Sequence, residues 1–166
     1  MRLPEFDSLY TFAEIAVGLA GFAAIVVLFR RRDQGLWAAV DADQFNGMVG
    51  HSMMGALFCV IPTIIAVFAS TPASVWSVSS GMLGIQIVVQ TIFVTRFPTT
   101  VGWRRTEITM SGLGTTLILG LNTVGVGFDR EFGPFLIGIL WHLIHAGILF
   151  VSLVLIPPSS IERPSS

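Results

Sequence analysis

The sequence predicts an all-α, polytopic transmembrane helical bundle of five spans, its N-terminus outside and its C-terminus cytoplasmic. Three observations lead there: a composition too apolar for water, five apolar runs of membrane-crossing length, and arginines gathered in alternate loops. Apolar residues make up 53% of the 166 and charged residues 11%, where an ordinary soluble domain carries roughly 25% charge. Mean hydropathy is +0.80. Too few polar side chains remain to cover such a core in water, so the natural solvent is a bilayer. The chain reads as a single integral membrane domain over residues 1–166.

A span needs about 20 apolar residues. The first run, 9–29, holds Glu14, then fifteen residues without a charge, then Arg30, Arg31 and Arg32. The second, 45–69, contains Pro62, which lacks an N–H and predicts a kink by freeing a carbonyl one turn earlier. The third, 75–96, follows Pro72 and ends at Arg96; the fourth covers 108–128; the fifth, 134–156, stops at Pro157 and Pro158. Prolines 4, 72, 98, 134, 157, 158 and 164 all fall at or beyond span ends, where a missing donor does least harm. The stretch 33–44 is expected to lie as a short interfacial helix. Tyr10, Trp37, Trp76 and Trp103 fall near predicted boundaries, as an aromatic belt would, whereas Trp141 is expected to be buried against a neighbouring helix.

All nine basic residues are arginine. With five spans, Arg30, Arg31, Arg32, Arg96, Arg104, Arg105 and Arg163 share a side, leaving only Arg2 and Arg130 opposite. The positive-inside rule makes the richer side cytoplasmic and the protein a multi-pass component of the cell inner (plasma) membrane. These charges follow the first run, so a cleavable signal peptide is not expected. Cys59 is the only cysteine, which excludes an internal disulfide. A net charge of −1 gives no basic field for nucleic acid.

Each span carries small or polar residues at helical spacing, and residues three, four or seven apart share a face. In span one these are Glu14, Gly18 and Gly21; in span two Gly47, His51 and Gly55. Span three offers Ser79, Gln86 and Gln90; span four Ser111, Thr115 and Asn122; span five His142, His145 and Ser152. Gly18, Gly21, Gly47 and Gly55 are helix-packing positions, because a missing side chain lets another backbone approach. Ala13, Ala16, Ala20 and Ala24 give span one a second small face, so span one is expected to be central, in its own bundle or at a subunit contact. At about 1.5 Å rise per residue, Glu14 and Asn122 come first from the outer side, then His142, then His145 and Gln86, then Gln90 and His51. Facing one interior, Glu14, Asn122, His142, His145, Gln86, Gln90 and His51 would form a staggered ladder for a proton or ion. Glu14 would face inward at the outer entrance, and Arg30 to Arg32 would mark the cytoplasmic mouth. Interhelical hydrogen bonding alone accounts for such residues equally well.

Other chemistry finds less support. WHLIH places two imidazoles three residues apart, yet no glutamate stands where a zincin base would. Zinc held by Glu14, His142 and His145 is conceivable on ligand type. His51 falls about 5 Å deeper than His145, against a haem between them. No P-loop, dinucleotide fingerprint or G-x-S-x-G motif occurs, and Cys59 sits in apolar surroundings. No cofactor is therefore expected. The sequence leans away from an enzyme and toward a lipid-embedded homo-oligomer that conducts a proton or small ion. A structural or accessory membrane subunit is the alternative, with a membrane-embedded metal-dependent enzyme behind it.

Overall fold

The computed structural model describes residues 3–34, 39–96 and 102–155. It is all helical: α1 (Glu5–Gln34), α2 (Ala39–Phe68), α3 (Pro72–Arg96), α4 (Gly102–Val124) and α5 (Phe132–Leu155). Four of the five, α1, α2, α3 and α5, are long and apolar enough to cross a membrane. α4 has the length, but Glu107 and its Ser, Thr and Asn residues keep it out of that set.

Element ends follow local chemistry. Thr71 caps α3, its hydroxyl accepting from the Ser74 N–H at 3.2 Å, and Pro72 fills the first helical position. α4 ends at Val124 and not at 128, because Gly125 turns left-handed (φ 77°) and Gly125 and Val126 both donate to the Leu121 carbonyl at 2.9 Å. Arg130 (φ 56°) folds back and donates to the Val124 carbonyl at 3.4 Å, placing a cation at that helix's negative end. The expected interfacial helix over 33–44 is not a separate element. Residues 33–34 close α1, Ala39 onward already belongs to α2, and 35–38 lie outside the described residues. α2 runs through a buried Pro62 without a break in its helical assignment.

The packing inverts the pattern of a soluble protein. Large apolar side chains point outward along every helix, with Phe22 at 65% and Phe68 at 85% exposure. His51, Ser79, Ser80, Asn122, His142 and His145 are buried. Such an apolar exterior suits hydrocarbon, and the polar side chains are turned inward, so the chain fits a membrane protein.

The central helix is α5 and not α1. α5 packs against all four others, whereas the α1 backbone comes close only to α2 and α5. Glycine explains part of this. A Cβ on Gly138 of α5 would stand 2.5 Å from Leu83 Cδ2 of α3 and 3.2 Å from Leu119 Cδ1 of α4, so a side chain there would force Leu83 to move. Trp76 is a second departure: it is 3% exposed. It packs on Phe6, Phe132 and Phe135, closing the end where α1, α3 and α5 begin. Tyr10 is exposed, its hydroxyl 3.1 Å from Thr63 Oγ1, and Trp141 is buried. Trp37 and the side chain of Trp103 lie outside the described residues.

Candidate functional site

α2, α3 and α5 meet mid-bundle around four polar side chains, roughly 15 to 27 Å along the helices from the Trp76 end. His142 occupies the α5 face turned to both neighbours, and Gln86 and Gln90 stand one turn apart on α3. His51 reaches them from α2, where a Cβ on Gly55 would stand 3.4 Å from the His142 Cβ, so α2 and α5 run close together here.

The four side chains close a ring. Gln86 Nε2 donates to Gln90 Oε1 at 2.8 Å, and Gln90 Nε2 lies 3.0 Å from His51 Nε2, the shorter of its two approaches to that imidazole. His51 Nδ1 is 3.3 Å from His142 Nδ1, and His142 Nε2 is 2.9 Å from Gln86 Oε1. With the amides oriented this way, one assignment gives every link a donor and an acceptor. Gln90 donates to His51 Nε2, His51 Nδ1–H donates to His142 Nδ1, and His142 Nε2–H donates to Gln86. Both imidazoles are then neutral, and all four bonds run in one sense. A fifth hydrogen placed in any link would set two donors against each other.

A second group lies against the ring. His145 Nδ1–H donates to the Trp141 carbonyl at 2.7 Å, and Trp141 Nε1–H donates to Ser111 Oγ at 3.1 Å. Ser111 Oγ stands 3.5 Å from His145 Nε2 and 3.4 Å from the Ile108 carbonyl, either of which takes its hydrogen. The His51 imidazole stacks on His145, with centroids 5.3 Å apart and planes 18° apart, joining the two groups. The indole of Trp141 covers both, 4.4 Å from His145 and 5.3 Å from His51.

The remaining expected site residues lie elsewhere. Asn122 belongs to a layer of its own, donating to Ser80 Oγ and the Glu131 carbonyl and accepting from the Glu131 N–H, each at 2.9 Å. Its amide is consumed in fastening α4 to α3 and to the start of α5. Between that layer and the ring stand Leu83, Leu119 and Gly138, so the polar ladder is two layers with an apolar floor between them. Glu14 does not face the interior. It is exposed on α1, because Leu9, Ala16, Ala23 and Val27 supply that helix's buried face. A Cβ on Gly47 would stand 3.3 Å from Leu149 Cδ1, whereas one on Gly18 or Gly21 would meet nothing within 4 Å. The side chains of Arg30, Arg31 and Arg32 lie outside the described residues.

Sequence reasoning passed over Trp141 as a member of the site, and over Gly138 and Gly112 altogether. A Cβ on Gly112 would lie 2.7 Å from Thr91 Oγ1 and 3.5 Å from Trp141 Cζ2. Spacing held the signal for Gly138, which sits four residues before His142 and seven before His145 on one face.

Among the described residues no group of three or more His, Cys, Asp and Glu side chains is arranged to hold a metal. The zinc set of Glu14, His142 and His145 is therefore not assembled: Glu14 is on the exterior while both histidines are buried. The arrangement can pass hydrogen bonds between neutral imidazoles and amides, and can take up or release a proton at an imidazole. No family model, no curated protein and no solved structure matches this chain.

Proposed function

We propose that this is a five-span inner-membrane protein that moves a proton or small ion through the α2–α3–α5 interior, with His51, His142, Gln86 and Gln90 as the working site. The observation that carries the reading is the closed ring. Two imidazoles in direct contact at mid-bundle form an expensive arrangement in lipid, and ionisable groups at that depth are functional by default. His145 and Ser111 extend the site toward the arginine-rich end. Glu107, exposed and one turn from Ser111 on α4, takes the mouth role there. The Leu83–Leu119–Gly138 layer is the closed gate toward the other end. Seven of nine arginines fall on one side when α4 is counted as the fifth span, which supports an outside N-terminus and a cytoplasmic C-terminus.

Proton flux into liposomes holding the purified protein tests this. The parent should acidify the lumen under an imposed gradient, His142→Leu should lose the flux, and Asn122→Ala should keep it. Equal flux in parent, His142→Leu and empty liposomes sinks the reading. The alternative, a structural or accessory membrane subunit, is favoured by one specific observation: every side-chain nitrogen and oxygen of the ring and of Asn122 has at least one partner within the chain, as in polar groups that serve packing. Lost assembly without any flux in the parent would put that alternative ahead.

A further inference from the structure

We propose that α1 is a contact between two copies of this chain, packed parallel and in register along Thr11, Glu14, Gly18, Gly21, Ile25 and Leu28. These residues fall three, four, three, four and three apart, the spacing that keeps one helix seam facing another in a left-handed pair. All six are exposed in the single chain. The seam runs about 26 Å along the helix, most of a hydrocarbon core about 30 Å thick.

Packing within one chain does not account for the seam. α1 buries a smaller share of its span than any other membrane-length helix, 22% against 33% to 44%. Its inward contacts use Leu9, Ala16, Ala23 and Val27, on the opposite face. The exposed face of α3 is built of large apolar side chains: Ile85, Val89, Ile92 and Phe93. On α1 the corresponding positions hold Gly18 and Gly21, with open space above both. Small residues let a helix backbone come close.

Glu14 identifies the occupant. It stands one turn from Gly18 with no polar partner among the described residues, and lipid offers a carboxyl group none. The uneven distribution of arginines inserts every copy the same way round, so two α1 helices meeting face to face run parallel. Glu14 then meets Glu14 of the second copy at the same depth, with the Thr11 hydroxyls one turn away. A single polar position in an otherwise apolar or small seam fixes register, as in coiled coils. Gly18 and Gly21 provide the close approach below it, and Ile25 and Leu28 interdigitate at the far end. The contact rests on the membrane-embedded reading above and not on proton movement.

Disulfide cross-linking of the full chain in native membranes, on a Cys59→Ser background, tests it. Gly18→Cys and Ile25→Cys should give dimers at least about fivefold more readily than Ile15→Cys and Ala24→Cys, which are exposed about 90° to either side of the seam. Adding Gly18→Leu to the Ile25→Cys reporter should cut dimer yield about tenfold or more, a change of about 1.4 kcal/mol or more. The monomer should melt as before, since that side chain enters open space. Equal yields at all four positions, no dimer at any, cross-links only to a different protein, or full yield with Gly18→Leu would each overturn the contact. Flux measured on the same samples reports on the ring alone, so the two readings fail separately.

Discussion

The inner face of α5 and the outer face of α1 both carry ionisable side chains inside a membrane-length helix, yet the two faces are built on opposite plans. On α5, His142 and His145 are buried, and their ring nitrogens have partners on α2, α3 and α4 or in α5 itself. On α1, Glu14 is exposed beside two glycines that touch nothing. The α5 face is complete in one chain. The α1 face has no covering partner within the described chain. Residue type and depth alone would have put all three groups in one class; azimuth around the helix separates them.

Five substitutions break or sharpen that contrast. His142→Leu should do most damage, because it orphans both Gln86 and His51; at about 1–3 kcal/mol for each buried unsatisfied partner, the loss should reach about 2–6 kcal/mol in detergent unfolding. Adding Gln86→Leu should recover part of that loss, since removing both partners of a buried bond costs less than removing one. If the double variant is as unstable as the two losses added together, the ring is not a unit.

Gly138→Ala comes next. The new methyl would press on Leu83 and Leu119, and overpacking of this kind costs about 1–3 kcal/mol. A variant that melts like the parent would show that the three-helix approach is looser than the geometry says. Asn122→Ala should cost about 1–2 kcal/mol by loosening the α4–α5 turn, without altering His51 or His142 signals in NMR spectra. Glu14→Gln should have the smallest effect on the single chain, within about 0.5 kcal/mol, as for exposed positions generally. A large loss of monomer stability would mean that α1 packs within its own chain after all.

How much of this could be read from the sequence depends on the element. The membrane-length helices follow from apolar length, and the pairs Gln86/Gln90 and His142/His145 from helical spacing. The end of α4 was missed by four residues, because an apolar run through Val126 and Phe128 hid the left-handed turn at Gly125. Polar stripes at helical spacing are expected to point inward, which would put Glu14 in the bundle interior. Ala16 and Ala23 win the interior since they fit closely against α2 and α5, leaving Glu14 outside. Nor could depth counting join His51 to His142, which depends on α2 and α5 meeting closely at Gly55.

The one-way ring also carries a form of memory. If both glutamine amides turn over and both imidazoles exchange tautomers, the same four links reform in the opposite direction, with His142 donating to His51, His51 to Gln90, Gln90 to Gln86 and Gln86 back to His142. The two senses contain the same atoms and the same charge, and an intermediate with only some members turned sets donor against donor. Reversal is therefore all or nothing across α2, α3 and α5, and it moves no net charge through the membrane. An electrode would record nothing. Nitrogen chemical shifts of His51 and His142, which distinguish a protonated ring nitrogen from a bare one, would show both rings changing together.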